Sequence, residues 1–282
     1  MKAEAGAQGP DRPPARQPSP QQEAVPVLYE KRDHVAYVTL NRPEVLNAFN
    51  RAMHQALRQV WMDFREDDDA WVALVTGAGD RAFSAGQDVK EIGERRAQDT
   101  RRSFWETWFG SDLQEGLEVW KPIVAAVNGY CLGEGMTFVL ACDFRIASER
   151  ASFGFPEVTL GIPTIVGAVR APRVVGLGNA LELLLTGDRI DARRALEMGL
   201  VHRVVPHERV KAEAEGLARR LCRNGPLAVR CTKEVAVRSL DMPFAEAVRM
   251  GEALRRLALQ SEDAVEGVQA YLEKREPRFT GR

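Results

Sequence analysis

Lys121–Asp143 reads KPIVAAVNGYCLGEGMTFVLACD: an apolar run, a glycine-punctuated turn and a second apolar segment closed by an acid. After Pro122, Ile123–Val127 is a continuous apolar run of the kind buried on both faces of a sheet, although the pattern alone also admits a helix. Asn128-Gly129 ends it as a turn. Gly133 and Gly135 flank Glu134 just before Met136, Phe138, Val139 and Leu140. Backbone with little side-chain cover therefore stands where a helix begins, and its unpaired N–H groups face outward, able to hold negative charge.

The same order of strand, turn and helix occurs upstream. Trp71–Thr76, WVALVT, is a buried-type strand closed by Gly77 and Gly79. Arg81–Glu91, RAFSAGQDVKE, follows, with the small residues Ser84, Ala85 and Gly86 before a helix predicted to begin at the Gln87-Asp88 junction. An Ala-Gly pair before a helix means little alone. Two small-residue helix starts converging on one point would supply two backbone N–H donors to one developing oxyanion, an arrangement worth several kcal/mol in acyl chemistry.

Further toward the N-terminus, His34–Leu40 alternates as a strand and ends in Asn41-Arg42-Pro43. Asn50 is placed to cap a helix over Arg51–Phe64, in which Met53, Leu57, Val60, Trp61 and Phe64 recur at helical steps. The acidic run Glu66–Asp69 reads as a solvated exit. The opening residues, 1–25, are rich in Pro, Gln and Ala and carry both acids and bases, which predicts a disordered tail. They fit neither a secretory signal nor a transit peptide, and no later stretch is long and apolar enough to span a bilayer, so a cytoplasmic protein is expected.

With 45% hydrophobic and 28% charged residues among 282, the chain can bury a sizeable core. Lys plus Arg number 39 against 40 Asp plus Glu, and this balance gives no overall electrostatic reason to expect nucleic acid or an anionic membrane as partner. The 4 Cys show no paired spacing, which points to free thiols in a reducing compartment, and none of the 4 His pairs at metal-ligand spacing.

Taken together, these motifs resemble the crotonase, or enoyl-CoA hydratase/isomerase, superfamily. The matching residues are Thr39–Pro43 with Leu46-Asn47-Ala48, Ala82–Asp88, Lys121–Gly135, Ala141-Cys142-Asp143, Phe153–Glu157 with Gly161 and Pro163, Leu185–Asp188, and Ala195 with Gly199-Leu200-Val201. The resemblance implies an α/β fold, a crotonase-type spiral of ββα turns over residues 26–205, with a C-terminal helical oligomerisation region over 206–282. Homotrimers or homohexamers are the expected assembly. It implies an acyl-CoA thioester substrate, no metal and no separate cofactor, since coenzyme A is part of the substrate.

By motif position the oxyanion-hole amides belong to Gln87 and Glu134. Ala85, Gly86, Asp88 and Gly133 are expected near the substrate, with Val45, Leu46 and Lys274 toward the CoA. The family usually has glycine where this chain has Glu134. Either its side chain projects to solvent or it adds a carboxylate near the thioester. The first reading is preferred, because a carboxylate would repel the charge that the amides receive. Two-carboxylate hydratases of the family carry one glutamate where this chain has Thr137; the other is retained as Glu157. One carboxyl group is enough for double-bond isomerisation, and a Thr137 hydroxyl that orients water would serve hydration. Thr137 equally fits a hydroxyl bonded back to a helix carbonyl.

Trp105, Trp108 and Phe109 lie in an aromatic-rich helical pattern over Thr100–Trp120 that, by family position, borders the acyl pocket. Core or trimer packing is the other reading of that pattern. Three hypotheses follow: an enoyl-CoA enzyme performing hydration, dehydration or isomerisation; an acyl-CoA-binding pseudoenzyme; and an RNA-binding member of the fold, disfavoured by the near-zero net charge.

Overall fold

The computed structural model describes residues 25–91, 112–114 and 116–282. All but the last residue of the expected tail, and the aromatic trio Trp105, Trp108 and Phe109, lie outside the described residues.

The chain enters through an antiparallel hairpin, β1 (Val27–Arg32) and β2 (Val35–Leu40), with Arg32 opposite Val35. Asp33 and His34 both have positive φ, 49° and 64°, as the tight turn between them demands. The strand therefore starts at Val35 and not at His34. Helix α1 (Arg51–Glu66) follows, its N-terminus capped by the Asn50 side chain, which accepts from the Met53 amide at 2.9 Å. Met53, Leu57, Val60, Trp61 and Phe64 form its buried face, as their spacing predicts.

Three successive turns of chain then alternate between two sheets. β3 (Val72–Gly77), β5 (Ile123–Val127) and β7 (Phe144–Ser148) pair in parallel in a six-stranded sheet. β4 (Ala82–Ser84), β6 (Tyr130–Leu132) and β8 (Ser152–Gly154) pair in parallel in a four-stranded one. Each turn gives one strand to each sheet, and this alternation is the expected spiral. A helix begins at Val89 after β4, and α2 (Glu134–Leu140) follows β6. Every residue of β3 and β5 is buried, because both faces of the larger sheet are covered. On one face the Phe138 ring of α2 meets Phe49, Trp61 and Phe83. On the other, Val210, Ala214, Leu217 and Ala218 of the helix Val210–Cys222 close over Val35, Val72, Leu74 and Val124.

Two asparagines tie the inter-sheet turns together. Asn128 exchanges hydrogen bonds with the Gly77 backbone and also donates to the Gly79 carbonyl. Asn47, fully buried, accepts from the Arg42 amide and donates to the Ala78 and Ala82 carbonyls at 3.0 and 2.9 Å. It also holds φ = 55°, a conformation asparagine tolerates better than alanine. Asn47→Ala is expected to lower stability by about 3 kcal/mol, since three backbone groups lose partners in a dry turn. Urea denaturation measures this directly, and a change below about 1 kcal/mol would mean that water replaces the amide.

Beyond β8 the chain is mainly helical: α3 (Val166–Val175), α4 (Leu177–Thr186), α5 (Ala192–Glu197), α6 (Val210–Cys222), α7 (Pro226–Arg238), α8 (Phe244–Ala258) and α9 (Glu262–Leu272). The two remaining strands are β9 (Ile190–Asp191), on the smaller sheet, and β10 (Arg203–Val205), on the larger. No helix among the described residues is long and apolar enough to cross a membrane. All four cysteines are free thiols, with Cys131 and Cys142 buried.

Candidate active site

The segment Ala85–Asp88 lies alongside Leu46–Phe49 as a short parallel bridge. Ala85 donates to the Leu46 carbonyl, Phe49 to the Gly86 carbonyl and Asp88 to the Phe49 carbonyl, all at 2.8 to 2.9 Å. In that pattern Gln87's own N–H points away from the bridge. Gly86 holds φ = +96°, and a Cβ there would lie 2.9 Å from the Leu132 carbonyl oxygen and 3.3 Å from the Glu134 amide nitrogen. The two glycine-bordered bends are thus in contact, and only hydrogen at Gly86 allows it.

Gly133 precedes α2 with φ = 53° and ψ = −120°, and its amide donates to the Gly154 carbonyl at 2.9 Å. Glu134 is the first helical residue, so its N–H has no acceptor within the helix. Among the described residues, neither the Gln87 nor the Glu134 amide donates to a protein acceptor. Both residues line one cavity of about 320 Å³, together with Ala85, Gly86, Gly133, Thr137 and Glu157, and Ile162, Pro163, Ile165 and Val166 contribute apolar wall.

Glu157 reaches the cavity from the short 3-10 segment Pro156–Leu160 that follows β8. Its Oε1 approaches the Gly133–Glu134 bend so closely that a Cβ on Gly133 would be 3.3 Å away. Its Oε2 is buried with no hydrogen-bond partner among the described residues, as is the Thr164 hydroxyl. Burial pushes the Glu157 carboxyl above the ordinary carboxylate range. Its own backbone amide and the Thr164 hydroxyl oppose the rise, and the Glu134 charge adds to it. Thr137 is buried at 7% exposure and lines the same cavity. Thr186 and Thr232 donate to the carbonyl four residues back, but no described residue receives such a bond from Thr137, so the back-bonded reading does not hold.

Glu134 corrects the expectation that its side chain projects to solvent. Its Oε1 accepts from Gln114 Nε2 at 2.7 Å and lies 3.1 Å from His54 Nε2, while its Oε2 is buried without a partner among the described residues. The acid turns inward because partners from distant segments wait there. His54 Nδ1 in turn lies 3.5 Å from Asp112 Oδ2, and Asp112 and Gln114 are buried at 1% and 4% exposure. Burial of the imidazole opposes its charge, yet hydrogen bonds to the two flanking carboxylates dominate and lift its pKa to about 10. Motif reading passed over His54. The available signal was its place on α1, in step with Leu57 and Trp61, which puts a polar residue on an apolar stripe.

Other expected contacts fall outside this cavity. The Asp88 carboxylate pairs with Arg42 at 3.1 Å and accepts from the Lys90 amide, so it anchors the helix start, and it does not line the cavity. That cap also explains why the helix begins at Val89, two residues after Gln87. Val45 and Leu46 form the turn beside Ala85, with the Leu46 carbonyl already accepting the Ala85 amide. Lys274 lies just past α9 at φ = 55° and does not line the cavity, while the adjoining Arg275 is paired with Glu266 and Glu273.

Comparison with known proteins agrees with this architecture. The profile of the enoyl-CoA hydratase/isomerase family matches residues 30–282. The chain is 37% identical over 260 residues to (E)-benzylidenesuccinyl-CoA hydratase of Thauera aromatica, covering 91% of this chain and 100% of that protein. It is 38% identical over 259 residues to carnitinyl-CoA dehydratase of Citrobacter koseri, covering 90% and 98%. An enoyl-CoA hydratase/isomerase crystal structure from Mycobacterium paratuberculosis superposes with a TM-score of 0.83 at 39% identity, covering 91% of this chain and 99% of that one.

Proposed function

The chain belongs to the enoyl-CoA hydratase/isomerase family, and from that premise we propose that it catalyses the reversible addition of water across the α,β double bond of an enoyl-CoA thioester. The observation that carries this reading is the pair of amides, Gln87 and Glu134, that donate to no acceptor among the described residues and belong to residues lining the cavity that Glu157 also lines. A thioester oxygen accepting from both would hold the enolate charge that develops when the α-carbon gains or loses a proton. Glu157 is the group that gives that proton in hydration and takes it in dehydration. Ala85, Gly86 and Gly133 frame the thioester with backbone and admit no bulk beside it. Two relatives named as a hydratase and a dehydratase favour water addition and removal over migration of the double bond. Isomerisation would use the same enolate and the same Glu157.

The CoA moiety is assigned to the side of Val45 and Leu46, with Lys274 reaching it from this or a neighbouring copy. Assembly into homotrimers or homohexamers belongs to the same proposal. It is supported by large apolar side chains left open on α8 and α9, such as Phe244 at 85% and Tyr271 at 84% exposure.

The test is incubation with straight-chain, branched and cyclic 2-enoyl-CoA thioesters in deuterated water, with product and label followed by mass spectrometry. Water addition with deuterium at the α-carbon is expected for at least one of them. Absence of both turnover and exchange across the panel would remove the reading.

The pH dependence has a definite sign. Hydration needs Glu157 protonated, so kcat for hydration should fall as pH climbs through the raised Glu157 value, and it should hold to higher pH than an ordinary carboxylic acid allows. Dehydration needs the carboxylate and should rise over the same window. A hydration profile that is flat there would take the proton transfer away from Glu157.

A further inference from the structure

We propose that Glu134 is the second carboxylate of this pocket, its Oε2 accepting a proton from the water that adds to the enoyl β-carbon, with His54 and Gln114 as the positioning residues that hold it there. This rests on the hydration reading above. Thr137 leaves the cavity without a carboxylate on the second turn of α2. Glu134 and Thr137 are three residues apart on that helix, so their side chains emerge on the same face, one turn from each other. Both line the cavity.

The two oxygens of Glu134 differ in what they meet. Oε1 is occupied by Gln114 Nε2 at 2.7 Å and by His54 Nε2 at 3.1 Å. Oε2 is buried and has no partner among the described residues, as is Glu157 Oε2, and both residues line the one cavity. A carboxylate held by one oxygen, with the other buried and lacking a donor among the described residues, carries an unmet acceptor that a donor brought in with the substrate would satisfy.

The objection to a carboxylate beside an oxyanion hole is charge repulsion. Here His54 answers it. The imidazole lies between Glu134 and Asp112, with the Phe49 ring against it at 5.5 Å, and its positive charge offsets that of the Glu134 carboxylate.

In the forward step a water O–H bond breaks, its proton passes to Glu134 Oε2, and the oxygen bonds to the β-carbon. The electron pair of the double bond moves onto the α-carbon through the enolate, and Glu157 gives that carbon its proton. Exchange with solvent then returns the proton from Glu134 and restores the one on Glu157.

Two readouts on the full chain test this. Hydration of crotonyl-CoA and cinnamoyl-CoA reports water addition. Exchange of the α-protons of butyryl-CoA in deuterated water needs only Glu157 and the two amides. Glu134→Gln is expected to lower kcat for hydration by about 10²-fold with KM little changed, while exchange stays within about threefold of wild type. Glu157→Gln loses both.

His54→Gln is expected to lower kcat for hydration by about tenfold alone and by nothing further in the Glu134→Gln background, the non-additivity of two residues acting as one unit. Should Glu134→Gln fail to fold, Glu134→Gly carries the same expectation. Hydration near the wild-type rate in either variant overturns the proposal. So does a parallel loss of exchange, which would mark Glu134 as a structural support for the amides. Additive effects of the two substitutions would detach His54 from the role. A wild-type protein inert in both assays would instead sink the hydration reading on which this stands.

Discussion

Glu157→Gln should lower turnover of a competent enoyl-CoA by about 10³-fold while raising the thermal midpoint at neutral pH, a loss of function joined to a gain of stability. The loss follows from removing the proton that the α-carbon exchanges. The gain follows from burial, which holds the folded-state pKa of this carboxyl above its unfolded value. A carboxylic acid shifted in that direction favours the folded state at low pH and penalises it once both states are ionised. Replacing it by a neutral amide of the same shape relieves the penalty, and the new N–H donors lie near the buried Thr164 hydroxyl, which has no partner among the described residues. The advantage of the variant should therefore shrink as pH falls through the raised Glu157 value and vanish below the ordinary carboxylate range. Scanning calorimetry at several pH values checks it. Equal midpoints at pH 7 would mean that solvent screens the carboxylate far more than its surroundings imply.

Gly129→Ala is expected to cost at least about 3 kcal/mol, and to remove activity before it removes fold. A Cβ at this position would stand 2.1 Å from the Arg81 carbonyl oxygen and 2.4 Å from its carbon. Both are backbone atoms, and the same carbonyl accepts the Tyr130 amide at 3.1 Å, so the contact cannot relax by turning a side chain. Relief requires separating β4 from β6, and β4 leads directly into Ala85–Gln87. The Gln87 amide would move with it. Gly216→Ala on α6 is the control: nothing lies within 4 Å of the added methyl, and a gain of about 0.5–1 kcal/mol is expected from helix propensity. Urea denaturation of the two variants should move in opposite directions. If Gly129→Ala keeps its midpoint and its activity, the close contact between the two turns is not a requirement of the fold.

Much of this architecture could be read along the chain because it depends on local pattern. Period and punctuation place α1, β3 and β5 to within two residues at each end, and the Asn50 cap forms as its neighbours dictate. The glycines around 86 and 133 could be read as helix starts with little side-chain cover, and the structure adds that the two bends touch there. Family motifs then point to Gln87, Glu134 and Glu157 as neighbours, and the cavity contains all three.

Where a side chain turns was not legible in this way. The sequence by itself determined β2, β3, β5 and α1, the glycine-marked turns, and the backbone amides available at two helix starts, since each depends on residues within a few positions of one another, whereas the three-residue strands of the smaller sheet are too short to carry a pattern. Only the tertiary structure decided that Asp88 faces Arg42 and that Glu134 turns inward. The partners of Glu134 stand 80 residues away at His54 and 20 away at Gln114, and the direction of a charged side chain is chosen by the groups that folding brings to it.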